Sequence, residues 1–119
     1  DKNKINIPYP VKAIYPPIKK GTENWQDYFE DCEARKPYHY LNGGIWTFIG
    51  AFYVLSLIKL KRFGKARSEI KKLAEANLKG NFPEWINPLT KKPYGKFQAW
   101  NAGAYILAYG SLKKKKVLL

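Results

Sequence analysis

GIWTFIGAFYVLSLIKLKRFGKARSEIKKLAEANLKG (44–80) decides the fold. In its first half Ile45, Phe48, Ile49, Phe52, Leu55 and Ile58 make one helical face, and Trp46, Tyr53, Val54 and Leu57 fill the others. A helix that is apolar all round is buried on most sides. The spacing predicts this helix from Gly44 to Arg62, ended by Gly64 after Phe63. A second helix is expected over 65–79. Ala66, Ile70, Leu73, Ala74 and Asn77 line its inner side, and Arg67, Lys71, Lys72, Glu75 and Lys79 face outward. Glu75 and Lys79 stand in the favourable i, i+4 order, and Gly80 supplies a stop. One dry helix beside one wet helix is the product of a layered shell, with an inner helix walled by an outer one.

Working outward, residues 1–20 carry Pro8, Pro10, Pro16 and Pro17 and read as an extended, irregular arm. TENWQDYFEDCEA (22–34) predicts a short helix with Thr22 as N-cap and Trp25, Tyr28 and Phe29 on one side. Residues 81–97 read as a loop of successive turns, NPLTKKPYG among them. A last helix is expected over 98–112, apolar on most faces, with lysines at its C-terminal dipole and a basic tail over 113–119. No stretch alternates as a strand does. The expectation is therefore all-α: a helical part over 22–112 in one domain, or in one fragment of a larger barrel, spanning 1–119.

Composition narrows the function classes. The chain has 119 residues, 45% of them hydrophobic and 16% aromatic, which is enough for a core and too much for so small a unit to hide. Some of that surface is expected to face a partner or a ligand. From Tyr40 to Ile58 there is no charge, but the apolar part, 45–58, would reach only about 21 Å against a bilayer core of about 30 Å, and Asn42-Gly43-Gly44 suits a turn. No membrane span is expected. One cysteine, Cys32, rules out an internal disulfide and makes a reduced, cytoplasmic setting the expectation. Cys32 is read as inert, since nothing pairs it locally with the lone histidine, His39. The chain opens at Asp1 and contains no Met, which reads as a processed or excised piece or as a chain whose start is missing, and no signal-peptide pattern opens it. The net charge of +13 raises a nucleic-acid patch. Its lysines are spread along the chain, and without a binding motif a solvated surface is the plainer explanation.

Three polar-aromatic clusters interrupt the apolar runs: YHYLNGGIW (38–46), FPEWINP (82–88) and GKFQAWNAG (95–103). Of the nine acids only Glu84 lies between two large aromatics, Phe82 and Trp85. A carboxylate in such surroundings is partly desolvated, which suits proton transfer. Neighbouring amides and aromatic faces suit a hydroxyl-rich ligand. Against this stands the plainer reading of Glu84 as a loop glutamate that caps or pairs with a lysine. Asn42-Gly43-Gly44 likewise reads either as a helix-starting turn or as a pocket wall joined by His39. Gln98 and Trp100 read either as packing residues or as ligand contacts. No metal site and no cofactor are indicated.

In this order the clusters resemble the C-terminal part of six-hairpin (α/α) toroid glycosidases, of the neutral/alkaline invertase and amylo-α-1,6-glucosidase-like groups, with trehalases more distant. YPPIKKGTENW (15–25) is similar to the segment preceding that block. The resemblance implies a toroid segment built of two or three inner/outer hairpins, with no cofactor. It places Glu84 at the catalytic base and Asn42, Gly43 and Trp46 at a pocket-lining turn; His39 and Trp85 join the expected sugar-binding residues from the clusters themselves. Gln98 and Trp100 fall on the segment facing the base. Thr47 stands where the family usually has proline, and Asn87 where Asp or Gly is frequent. The family's general acid lies upstream, and Asp27, Glu30, Asp31 and Glu33 do not take its place. The resemblance implies carbohydrate as ligand and either an upstream glycosidase fragment or self-association as partner. It also implies no activity of this portion alone. A non-catalytic carbohydrate-binding or interaction module is the alternative, and a basic nucleic-acid-binding domain the third reading.

Overall fold

The computed structural model describes residues 4–119, so the expected arm over 1–20 is described from Lys4 onward and its first three residues lie outside the described residues. The chain is mostly helical, with α1 (Thr47–Lys59), α2 (Phe63–Lys79) and α3 (Ala99–Lys114) packed pairwise around one core. Val54 and Ala51 of α1, Leu73 and Ala66 of α2 and Ala108 of α3 are at most 1% exposed in that core. α1 is the dry member, as the apolar run of 45–58 requires. No helix among the described residues is long and apolar enough to cross a membrane.

α1 starts later than the spacing predicts, because residues 44–46 give their backbone groups to neighbours on both sides. The Gly44 carbonyl accepts from Ala13 N at 2.9 Å, and Trp46 N donates to the Val11 carbonyl at 3.1 Å. Ile45 exchanges both of its backbone bonds with Ile86, each at 2.9 Å. Beside Ile86 runs a hairpin of β1 (Trp85–Ile86) and β2 (Pro93–Tyr94), antiparallel, with Ile86 opposite Pro93. Lys12, Ile45, Ile86 and Pro93 thus line up across a narrow antiparallel ribbon at the N-terminal end of α1. Its pieces are too short to alternate, which is why no strand is visible in the sequence.

The segment 22–34 is not a continuous helix. It makes two 3₁₀ turns, Asp27–Phe29 and Glu33–Arg35. Asp27, Glu30, Asp31 and Glu33 would stack like charges at i, i+3 and i+4 on a helix, and a short helix has little propagation to offset its nucleation. Thr22 is not an N-cap, since its hydroxyl donates to the Lys19 carbonyl at 2.7 Å.

α2 begins at Phe63 and carries Gly64 in its first turn instead of being cut by it. The expected Glu75–Lys79 pair is replaced by arm contacts. The Tyr9 hydroxyl donates to Glu75 at 2.8 Å, and Asn6 donates to Glu69 at 3.1 Å. Glu69 is buried on α2 and also holds Lys72 at 3.0 Å. Lys12 is 5% exposed, and its ammonium donates to the Lys4 and Ile7 carbonyls, folding the arm onto itself. Burial pushes the Lys12 ammonium pKa below its ordinary value, helped by the charge of Lys4.

At the far end, Lys113 and Lys114 belong to α3, and Lys115 closes the helix in a left-handed conformation with φ 50°. Lys116 N then donates to the Ser111 carbonyl at 3.0 Å and Leu118 N to the Ser111 hydroxyl at 3.1 Å, and Val117 packs on the core. The expected basic tail is therefore partly helix and partly a docked strap. α3 leaves Trp100 and Ile106 exposed, at 54% and 69%.

Candidate functional site

Glu84 sits in the α2–α3 connection, and its backbone is fixed from three directions. Glu84 N donates to the Tyr94 carbonyl at 2.8 Å, which places it at the mouth of the β1–β2 hairpin. Asn101 of α3, 1% exposed, donates its side-chain amide to the Pro83 carbonyl and accepts from Phe48 N at 3.2 Å. One buried asparagine therefore ties the residue before Glu84 to the first turn of α1. Ile86, two residues on, is locked to Ile45 by the ribbon. The Glu84 side chain is half-buried, and its carboxylate has no hydrogen-bond or ion-pair partner among the described residues.

Two clefts meet at Glu84. One, of about 470 Å³, is lined by Tyr40, Trp46, Phe48 and Trp100 together with Glu84. The Trp46 indole N–H donates to the Tyr40 carbonyl at 3.2 Å, and the Tyr40 and Trp46 rings meet edge-on at 5.2 Å. These contacts fix one aromatic wall, and Trp100 supplies another from α3. The second cleft, also about 470 Å³, has Tyr40, Trp85, Tyr94 and Glu33 around Glu84. The Trp85 and Tyr94 rings stack at 4.0 Å with 2° between planes, and Trp85 is 2% exposed. Among the described residues no lysine or arginine lines either cleft, although the chain carries 22 of them. An anionic group surrounded by aromatic rings and free of cations suits a neutral, hydroxyl-rich ligand and can accept a proton from water or a hydroxyl.

The other residues singled out in the sequence fall in several places. His39 lies one cleft further on, a space of about 430 Å³ shared with Tyr94 and the acidic turns, with its ring 5.5 Å from Trp85. Gln98 precedes α3, donates its backbone N–H to the Phe82 carbonyl at 3.0 Å, and has its side-chain amide beside Gly95. Asn42 is fully buried and lines none of these clefts. Its side chain accepts from Ile18 N at 2.7 Å and donates to the Ile18 and Ala34 carbonyls, each at 2.9 Å. An asparagine amide offers both a donor and an acceptor, so Asn42 staples the arm and the acidic segment to the turn. Gly43 has φ 97°, a conformation glycine adopts freely, and a side chain on Gly44 would lie 2.3 Å from the Tyr40 carbonyl oxygen. The Asn42-Gly43-Gly44 turn thus positions Trp46 and does not itself line a cleft.

Asn101, Tyr40, Phe48 and Tyr94 were not assigned from the sequence. A lone asparagine inside an apolar helix was the available signal for Asn101, because a buried amide needs partners. Glu33 joins Glu84 in lining the second cleft, from a segment that the sequence presents as surface. Among the described residues no three His, Cys, Asp or Glu side chains are grouped to hold a metal ion. No family model matches the chain, and no curated protein is similar to it.

Proposed function

We propose that this chain is the C-terminal portion of a glycoside hydrolase of the helical-hairpin toroid type, with Glu84 as general base and the Trp46–Trp100 cleft as part of its sugar subsite. One observation carries the reading. Trp46, Glu84 and Trp100 come from three separate clusters of the sequence and line one cleft, in which the carboxylate is unpaired. In this reading Glu84 takes a proton from a water molecule, and the resulting hydroxide attacks the anomeric carbon opposite the leaving oxygen. The indole and phenol rings pack on the C–H faces of the sugar. Inverting hydrolysis also needs a carboxylic acid about 6.5–9.5 Å from the base, to protonate the departing oxygen. That acid comes from the rest of the toroid, whose hairpins would cover the exposed faces of Phe97, Trp100 and Ile106. Alone, the chain binds sugar and does not hydrolyse it.

A second reading, a non-catalytic carbohydrate-binding module, is favoured by the single carboxylate in the Trp46–Trp100 cleft. Tryptophan fluorescence during titration with sucrose and maltose tests the shared part. Saturable quenching is expected with a Kd of about millimolar, because only one wall of the site is present. Trp100→Ala should abolish it. The absence of any quenching by either sugar would overturn both readings. Hydrolysis assayed after adding the upstream helical portion separates them. Turnover that falls at least ~100-fold in Glu84→Gln supports the base, and binding with no turnover makes the chain a binding module.

A further inference from the structure

The acids of this chain are clustered. Residues 21–34 hold Glu23, Asp27, Glu30, Asp31 and Glu33, five of the nine acids, and none of the 22 lysines and arginines. Helices α1 and α3 contain no acid. At the C-terminal end of α1 the docked strap and the helix enclose a groove of about 560 Å³. Lys59, Lys61, Lys115 and Lys116 ring it, and Leu55, Ile58 and Val117 form its floor. Among the described residues no Asp or Glu side chain lines this groove, where Leu119 brings the C-terminal end of the strap, and none of the four lysines is ion-paired. An apolar floor within a cationic rim takes an apolar side chain flanked by acids.

The acidic segment offers that complement. Tyr28 is 64% exposed, and its ring is braced edge-on against Phe29 at 4.8 Å, so it is presented already ordered. Asp27 precedes it and Asp31 follows one short turn later, both exposed. Glu30 is already paired with Lys20 at 2.6 Å. The two surfaces lie at opposite ends of α1. The segment is stapled through Ala34 to Asn42, near the start of the helix, and the groove lies about 20 Å away at its end. A molecule therefore cannot fill its own groove, but a neighbour can.

We infer that this chain pairs with a second copy of itself by seating Tyr28, with Asp27 and Asp31 on either side, in the lysine-rimmed groove of that copy. Two copies lying antiparallel fill both grooves at once, which closes the pair with two-fold symmetry. Neither surface includes Glu84, so the pairing stands apart from the sugar reading.

Sedimentation equilibrium of the 119-residue chain at about 0.1 M and about 1 M salt tests it, since the Debye length falls from about 10 Å, which already screens much of the repulsion between two chains of charge +13, to about 3 Å, which also weakens the local ion pairs. A dimer at low salt that dissociates at high salt is expected. Asp27→Lys/Asp31→Lys and Lys59→Glu/Lys116→Glu should each weaken self-association at least ~10-fold, a loss of about 1.4 kcal/mol. An equimolar mixture of the two variants should restore it, because each then carries the complement of the other. Tyr28→Ser should weaken the pair without changing its salt dependence. A wild-type chain that stays monomeric at low salt overturns the inference, and so does association that ignores both reversals or a mixture that fails to restore it. Capture of laurate or a single-stranded oligonucleotide by a monomeric chain would reassign the groove to an amphiphile or a polyanion.

Discussion

Gly50 sits on α1 where the arm crosses it, and its replacement by alanine tests that crossing. A Cβ at Gly50 would lie 2.2 Å from the Pro10 carbonyl oxygen, 2.7 Å from the Pro10 carbonyl carbon and 2.8 Å from Leu73 Cδ2. Neither neighbour can move easily. Leu73 is fully buried, and Pro10 is followed by Val11, whose carbonyl accepts from Trp46 N. Three effects compete. Alanine for glycine inside a helix is favourable by about 1 kcal/mol. Overpacking costs about 1–3 kcal/mol, and two pinned neighbours put this case near the upper end. Lifting the arm instead would lose the Tyr9–Glu75 hydrogen bond, worth about 1 kcal/mol, and part of the burial of Tyr9 and Val11, worth about 1.5–3 kcal/mol for each side chain fully exposed. The less costly route is overpacking, so Gly50→Ala should destabilise by about 2 kcal/mol.

Gly103 supplies the control. It lies inside α3, is exposed, and has nothing within 4 Å of its would-be Cβ. Gly103→Ala should therefore stabilise by about 1 kcal/mol from propensity alone. The same chemical change is expected to have opposite signs at the two sites, with a spread of about 3 kcal/mol, or about 12 °C in Tm. Urea unfolding followed by far-ultraviolet circular dichroism measures both. Limited proteolysis of the arm in Gly50→Ala tells compression from lifting. If Gly50→Ala proved as stable as Gly103→Ala, the Pro10 carbonyl would not cross α1 at Gly50, and the docking of the arm would be refuted.

Thr47→Pro should stabilise by about 0.5–1 kcal/mol in the same unfolding assay, because Trp46 before it is already extended at φ −114° and ψ 110°, and the buried Thr47 hydroxyl has no partner to lose. A loss of stability would show that the Thr47 amide is bonded. Burial and the Glu75 carboxylate push the Tyr9 pKa up from 10.0 to about 12. The folded state thus favours the protonated phenol: this stability is fully present below pH 10 and is lost as pH rises through about 12. Burial and Tyr109 also raise the Tyr105 pKa, so ultraviolet titration should show late-ionising tyrosine, of which the component near 12 disappears in Tyr9→Phe, and an unchanged titration in that variant would contradict the assignment. Asn101→Ala leaves the Pro83 carbonyl and Phe48 N without their partner and should cost about 2–4 kcal/mol, with the loop proline-glutamate segment more open to proteolysis. A cost below about 0.5 kcal/mol would mean that Asn101 does not organise the loop.

Much of the helical layering was legible because periodicity reports burial directly. The uncharged run through Val54 and Ile58 had to be the inner helix, and the alternation of Ile70 and Leu73 with lysines had to be a wall. What escaped were features set by long-range backbone pairing. Ile45 looks helical by its neighbours, yet bonds to Ile86 across the ribbon because that pairing gives its amide and carbonyl partners at once. Acidic crowding in 22–34 outweighed the aromatic spacing that predicts a helix. At the site, the contrast between polar-aromatic clusters and apolar runs singled out Glu84 and raised Trp100 as a candidate contact, while Trp46 came in only through the resemblance; the three line one cleft. Asn42 was less readable, since an amide in a turn looks the same whether it holds a ligand or its own backbone.

The features that shorten α1 are also those that build the cleft. Pairing Ile45 with Ile86 draws Trp46 toward the Glu84 loop, and Asn101 draws the same loop to Phe48 and Trp100 from the other side. The loop backbone is therefore held by segments far apart in sequence, while the Glu84 carboxylate has no partner among the described residues. A chain of net charge +13 has cations to spare, and a glutamate kept only for packing or capping would gain from meeting one. Among the described residues Glu84 meets none, because those lining both clefts around it are aromatic, small or acidic. An unpaired, half-buried anion gives the fold nothing that the neutral amide would not, so Glu84→Gln should leave the unfolding free energy within about 0.5 kcal/mol of wild type. A larger loss would reveal a structural role for the carboxylate. Equal stability would make any loss of binding or turnover in that variant a statement about the site alone.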